Sequence, residues 1–223
     1  MSGTTPDGPD HGEDRLAEAR LMFEQPWGFL KGVVALDGLP AADRPEVAFA
    51  GRSNVGKSSL INAILRQRDL ARTSNTPGRT QEINYFVPRA PYAPPLYVVD
   101  LPGYGFAKAT KPKVETWTRL VKDYLRGRVN LARVYLLIDS RHGVKPVDET
   151  ILAMLDEAAV SYQVVLTKID KISASAREAC IGATERTLSR HPAAFPEVLA
   201  TSSQTGEGID ALRLAIATLL AGR

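Results

Sequence analysis

Eight consecutive residues can hold a phosphate chain: Gly51, Arg52, Ser53, Asn54, Val55, Gly56, Lys57 and Ser58. They follow the apolar stretch EVAFA and fit G-x-x-x-x-G-K-[ST]. The two glycines let the backbone curl so that its N–H groups converge on phosphate oxygens, and a helix opening at the motif adds its positive end. Lys57 is placed to reach the β- and γ-phosphates. The Ser58 hydroxyl is a Mg²⁺ ligand, because this small, hard cation takes one or two protein oxygens and leaves the rest to phosphate and water. Kinases, ATPases and GTPases all use such a loop, so the base has to be read elsewhere.

Two further strings do that reading. Thr167, Lys168, Ile169 and Asp170 close an apolar run, which places the Asp170 carboxylate to accept from guanine N1–H and the exocyclic amine. Adenine lacks that donor pair and would leave a buried carboxylate unsatisfied. Lys168 is expected to lay its stem over the base. Thr201, Ser202 and Ser203 end the last apolar run, and their backbone N–H groups are expected to donate to guanine O6. Asp100, Leu101, Pro102 and Gly103 put a carboxylate beside the metal, through water, and the Gly103 amide near the γ-phosphate. Between the motifs lies TSNTPGRTQEIN, where Thr80 supplies a second hydroxyl to Mg²⁺. Loops that order around γ-phosphate and metal, then relax, make a GTPase switch. The reading is a Mg²⁺-dependent GTP/GDP-binding protein that hydrolyses GTP slowly, with Lys57, Asn54, Thr80 and Gly103 bearing on catalysis. An ATP-dependent small-molecule kinase is opposed by Asp170; an RNA-binding scaffold with incidental hydrolysis stays open.

These residues need a layered α/β frame. Short apolar strands alternate with amphipathic helices: Val47–Ala50 then Ser58–Gln67, Tyr97–Asp100 then Val114–Leu125, Val134–Asp139 then Val147–Ala158. Gln163–Thr167 then Ala174–Ser189 and Val198–Thr201 then Ile209–Leu220 complete the series. Such alternation predicts a mostly parallel sheet with helices on both faces. Trp27–Leu36 reads as a first strand, and Ile83–Val87, which no helix follows, as an antiparallel edge strand. Arg15–Phe23 carries apolar residues at helical spacing, whereas residues 1–14 are polar and read as a disordered tail. The division is an acidic extension over residues 1–24 and a single G domain over 25–223.

The 223 residues, 44% hydrophobic, suit one core. No apolar run approaches the ~20 residues of a membrane span, and the acidic start lacks the features of a signal peptide, so the expected location is the cytoplasm. The net charge of +3 hides an asymmetry: nine acids against four bases over residues 1–46, sixteen against twenty-four beyond. A basic body favours a polyanionic partner. From Lys108 to Arg133 eight bases face only Glu115 and Asp123. With Val114, Trp117, Val121 and Leu125 toward the core, most of the bases are expected on the solvent side, either as a plain solvated face or as a contact for RNA phosphates. Cys180 reads as a packed small hydrophobe and His142 as a surface or structural residue.

The strings EVAFAGRSNVGKSSLINAIL, TSNTPGRTQEINYF, VVDLPGYGFAKA, LLIDSRHGVKPVD and VLTKID together resemble the EngB/YihA/YsxC-type ribosome-biogenesis GTPases over about residues 27–220. The resemblance implies a monomeric G domain without a membrane, Mg²⁺ as cofactor, the assembling large ribosomal subunit as partner, and a link to cell division and septation. It carries nucleotide contacts to Gly51–Ser58, to Gly78, Arg79, Thr80, Gln81 and Glu82, to Asp100–Gly103, Thr167–Asp170 and Thr201–Ser203, with metal at Ser58 and Thr80. Gln204, Thr205 and Gly206 depart from the more basic residues that often follow the last motif. Where many GTPases place a water-orienting Gln after D-x-x-G, this chain has Tyr104, a poor group for that task. Asn54 resembles the P-loop Asn that holds K⁺ beside the phosphates in several GTPases; the alternative is that it only caps the loop.

Overall fold

Alternate residues of the central strands are apolar on both sides because helices cover both faces of the sheet, as parallel strands require. A computed structural model describes residues 11–71, 82–90, 96–105 and 111–222, apart from the side chains of residues 11, 12, 111–114 and 117. Helix α1 (His11–Glu24) and strand β1 (Trp27–Val33) lead through a short 3₁₀ turn into β2 (Glu46–Gly51) and α2 (Lys57–Ile64). Then come β3 (Ile83–Pro88), β4 (Tyr97–Asp100), α3 (Lys111–Gly127), β5 (Leu131–Asp139) and α4 (Pro146–Glu157). The chain closes with β6 (Tyr162–Thr167), α5 (Ala174–Leu188), β7 (Leu199–Ala200) and α6 (Ile209–Ala221).

The seven strands lie in the order β1-β3-β4-β2-β5-β6-β7. β4, β2, β5, β6 and β7 are mutually parallel, and β3 runs antiparallel to both neighbours. The sheet is therefore mostly parallel with its antiparallel part at one end, as expected, but the outermost place belongs to β1. β3 sits one strand inward because β1 pairs along its length, from Trp27 opposite Pro88 to Val33 opposite Ile83. A bulge between Phe29 and Lys31 interrupts that outer strand, a device that discourages further pairing at an edge.

In β5, Val134, Leu136 and Ile138 enter one core with Tyr124 of α3 and Leu152 of α4. Tyr135 and Leu137 point into the other, with Ile61 of α2 and Leu212 of α6. Helix α1 begins at His11, four residues before the expected helix. Its fully buried Ala19 and Phe23 supply the apolar face, and Arg20 donates to Asp210 of α6 at 2.9 and 2.7 Å. Residues 1–10 of the expected tail lie outside the described residues.

The basic stretch of α3 differs from the expectation. Arg128 is not on the solvent side: its side chain is 8% exposed and pairs with Glu46, itself fully buried. A buried carboxylate at the start of β2 demands a cation, and Arg128 supplies it. Lys122 and Arg126 are partly exposed and both approach Glu157 of α4, while the Arg133 guanidinium stacks 4.2 Å above the Phe195 ring. Lys108 and the side chains of Lys111, Lys113, Val114 and Trp117 lie outside the described residues.

Candidate nucleotide site

Parallel strands bring their C-terminal ends to one edge of the sheet, where ligands of open α/β folds bind. Gly51 ends β2, Asp100 ends β4, Asp139 ends β5 and Thr167 ends β6, with Thr201 directly beyond β7. All the described motif residues of the sequence reading thus meet along one rim. Gly78, Arg79, Thr80 and Gln81 lie outside the described residues, and Glu82 is half-buried just before β3.

The loop from Gly51 to Ser58 is bent tightly. A Cβ at Gly51 would lie 2.8 Å from Val55 Cγ1, and Gly56 adopts φ +104°, a conformation that side chains disfavour. Asn54 also takes positive φ, +62°. Val55 is buried and its carbonyl accepts from Thr167 Oγ1 at 2.7 Å, which ties the loop to β6. No side chain caps α2 at Gly56. Among the described residues no side chain accepts from its first-turn N–H groups, so this end is receptive to an anion. Lys57 Nζ donates to Asp100 Oδ1, with both side chains nearly buried. A phosphate would draw on the same ammonium. The half-buried Ser58 hydroxyl and the Asp100 carboxylate offer a hard, oxygen-only donor set beside Lys57, and such a set fits Mg²⁺.

The D-x-x-G turn is pinned to the P-loop. Ser53 N donates to Tyr104 O at 3.0 Å and Tyr104 N to Gly51 O at 3.3 Å. Between these bonds a Cβ at Gly103 would stand 3.5 Å from both Gly51 O and Ser53 N. Leu101 and Pro102 are buried, and Leu101 N donates to Phe49 O at 3.0 Å. The Tyr104 ring is buried against Ala50, Val121, Leu125 and Ile151. Its hydroxyl donates to Asp148 Oδ1 at 2.8 Å, and burial, reinforced by Asp148, pushes the phenol well above its ordinary pKa. Asp148 in turn caps α4 by accepting from Lys145 N at 2.9 Å, and Arg52 Nε lies 3.6 Å from it. The residue after D-x-x-G is thus engaged by a helix cap and stays protonated.

The base-reading corner is built on β5, β6 and β7. Ile169 is buried in a 3₁₀ turn that holds Asp170 on the rim. Ser202 Oγ donates to Asp170 Oδ1 at 2.7 Å and Lys171 Nζ lies 3.0 Å from Oδ2; together they hold this carboxyl below the usual carboxylate range. The Thr201–Ser203 segment corrects the sequence reading. Thr201 N donates to Leu166 O at 2.7 Å and Ser202 N to Glu207 O at 2.9 Å, so two of the three backbone donors expected for O6 are already engaged inside the protein. The reason is register: the Thr201 amide extends the β6–β7 pairing one residue past Ala200, and the Ser202 amide closes the turn that follows. Ser203 is exposed, and Ser202 contributes its hydroxyl to Asp170.

Lys168, with φ +59°, reaches back across the rim. Its Nζ donates to Asn54 O of the P-loop at 2.6 Å and to Asp139 Oδ2 at 2.9 Å. Asp139 and Arg141, like Asp148, escaped the sequence reading. The signal was present for Asp139: a carboxylate directly follows the apolar run Val134–Ile138, in register with Thr167 of the T-K-x-D string. His142 is exposed, as expected. Cys180 is half-buried, packed against the core edge, with burial raising its pKa.

No helix among the described residues is long and apolar enough to cross a membrane. The profile of a 50S ribosome-binding GTPase matches residues 46–168, the span from β2 through Lys168. A probable GTP-binding protein EngB of Chelativorans sp. (strain BNC1) is 60% identical over 200 residues, covering 87% of this chain and 89% of that one. Its counterpart in Bartonella tribocorum is 58% identical over 205 residues, covering 90% and 96%. Among solved structures, Era in complex with MgGDPNP and a segment of 16S ribosomal RNA superposes with a TM-score of 0.62 at 25% identity, over 79% of this chain and 56% of that one. The rim that holds a P-loop, a D-x-x-G turn and a T-K-x-D corner, together with this similarity over most of the chain, identifies a GTPase: the chain belongs to the EngB family of GTP-binding proteins.

Proposed function

We propose that residues 25–223 act as one Mg²⁺-dependent G domain whose GTP-bound form engages the assembling large ribosomal subunit and whose slow hydrolysis ends that engagement. The observation that carries this reading is the pinning of Tyr104, directly after Gly103, onto the P-loop backbone. A change at the γ-phosphate would thereby be passed between the P-loop and the D-x-x-G turn through Tyr104. The P-loop amides and Lys57 would hold the phosphates, Ser58 and Thr80 the metal, Asp170 the guanine edge and Lys168 its face. Gly78, Arg79, Gln81 and Glu82 would line the nucleotide beside Thr80. When bound there, Mg²⁺ would neutralise negative charge on the phosphates. Lys57 would exchange Asp100 for phosphate, and Asp100 would then orient water at the metal.

Slow turnover follows from Tyr104. Its hydroxyl is bonded to Asp148 and stays protonated, so it supplies no base or amide to orient water. Asn54 would then help through a K⁺ ion: among the described residues its side chain makes no hydrogen bond, and its positive φ is held by Lys168 at its carbonyl. Turnover in K⁺ should exceed that in Na⁺, and Asn54→Ala should erase the difference; equal rates would reduce Asn54 to a loop-shaping residue.

The ribosomal partner is supported by the matched family's description as 50S ribosome-binding and by the basic body. Cytoplasmic location, a monomeric state and a role in cell division and septation belong to the same reading. Co-sedimentation with purified large subunits tests it: the chain loaded with a non-hydrolysable GTP analogue should co-sediment, and the GDP form should not. Equal sedimentation in both states would overturn it. Among the described residues, Arg119, Lys122 and Arg126 are the exposed or partly exposed bases of α3. Their replacement by Glu, with Arg128 untouched, should weaken subunit binding and flatten its salt dependence by ~0.7–0.9 in log–log slope per lost phosphate contact. Undiminished binding would place the RNA contact elsewhere.

A further inference from the structure

The base-reading corner contains a carboxylate and a guanidinium that the nucleotide motifs do not include, joined in one ion cluster with Lys168. Asp139 is 3% exposed and stands at the last position of β5. Its Oδ1 accepts from Arg141 Nε at 2.9 Å and Arg141 N at 3.1 Å, and its Oδ2 from Arg141 Nη2 at 2.7 Å and Lys168 Nζ at 2.9 Å. The carboxylate is thus gripped by a bidentate guanidinium, a geometry that fixes its plane. Lys168 alone has four flexible bonds and a solvated alternative for its ammonium. Here that ammonium is clamped between Oδ2 and the Asn54 carbonyl, 2.6 Å away, so the methylene stem between two fixed ends has little freedom left.

We infer that Asp139 is a positioning residue for guanine recognition. Braced by Arg141, it holds the Lys168 ammonium against the P-loop, so that the lysine stem forms a preorganised wall for the purine ring. The inference rests on the reading of Lys168 as the residue that covers the base. Asp139 touches no nucleotide atom itself; it acts by removing the entropy that Lys168 would otherwise lose on binding. Because the clamp ends on Asn54 O, it also joins the base pocket to the phosphate loop.

Binding of fluorescent GDP, and of inorganic tripolyphosphate by competition, separates the parts. Asp139→Ala should weaken GDP binding by roughly tenfold to a hundredfold, the range of a hydrogen bond to a charged group. Tripolyphosphate, which has no base, should bind within about twofold of wild type on the same reasoning. Combining Asp139→Ala with Lys168→Ala should cost no more than Lys168→Ala alone, since the first residue works only through the second. Asp139→Asn, which keeps an acceptor and nearly the same shape, should recover part of the loss; it carries the same test if the alanine variant does not fold. Unchanged GDP affinity, losses that add in the double variant, or a parallel fall in tripolyphosphate affinity would each overturn the inference. Full GDP affinity in Lys168→Ala would instead overturn the base-wall reading.

Discussion

Two buried carboxylates mark opposite ends of the central strands, and they are used in opposite ways. Glu46 opens β2, is fully buried, and accepts from Arg128 Nε at 2.8 Å, Tyr124 OH at 2.8 Å and Asn130 Nδ2 at 3.1 Å. Asp139 closes β5 and is almost as buried, but its cations are not: the Lys168 and Arg141 side chains are 27% and 43% exposed. The first cluster is closed upon itself, and every donor around it is turned inward. The second is open at the rim and one of its cations reaches the phosphate loop. Burial of the acid alone does not separate structure from function; the exposure of the cation does.

The largest effect should come from breaking the closed cluster. Arg128→Ala leaves Glu46 buried without its charge partner, which costs ~3–5 kcal/mol and is read by chemical denaturation. Nucleotide affinity of the folded protein should stay within about twofold, because the cluster lies at the far end of the strands from the rim. A loss below ~1 kcal/mol would mean that Glu46 regains water or another partner, and the contrast with Asp139 would fail.

Next comes the open side. Asp170→Asn should weaken GTP binding by about a hundredfold or more and shift preference toward xanthosine nucleotides, since the amide now mispairs with guanine; global stability should change little because Asp170 lies on the rim. Competition with both nucleotides measures this, and an unaltered GTP affinity would remove Asp170 from the base site.

Asp148 sharpens the comparison as an intermediate case, fully buried but with the partly exposed Arg52 beside it. Tyr104→Phe deletes one hydrogen bond to it and should lower stability by ~1–2 kcal/mol with GTP turnover unchanged. If turnover fell tenfold at constant stability, the phenol would be part of the chemistry rather than an anchor.

The smallest effect is in pH. Burial raises the Asp139 pKa, but hydrogen bonds from Arg141 and Lys168 outweigh it and hold the carboxyl well below the usual carboxylate range. A depressed folded-state pKa stabilises the fold above the unfolded value of about 4 and loses that contribution as pH falls through the folded value. The stability difference between wild type and Asp139→Asn should therefore be flat from pH 8 to about 5 and narrow only below about 4. Narrowing near pH 6 would show that Asp139 is not held ionised by its two cations.

Much of this molecule was legible before folding. Period and punctuation announced the strand–helix alternation, and every strand and helix from β1 onward ends within three residues of its expected place. The P-loop, D-x-x-G and T-K-x-D strings were readable because each packs its chemistry into a few adjacent residues, so spacing alone preserves geometry. The position of β3 inside the sheet was not readable, since strand order depends on which edge β1 finds after the chain has folded.

Pairings across long separations were equally hidden. Arg128 looked like one more base on a basic helix, yet Glu46, 82 residues away, takes it inward. The amides of Thr201 and Ser202 looked available until β7 and its turn engaged them. Sequence by itself determined what this protein binds, because nucleotide recognition is written in short contiguous motifs. Only the tertiary structure decided which charged groups serve that site and which serve the fold. A charge acquires its role from the partner that shares its burial, and burial is a property of the packed chain.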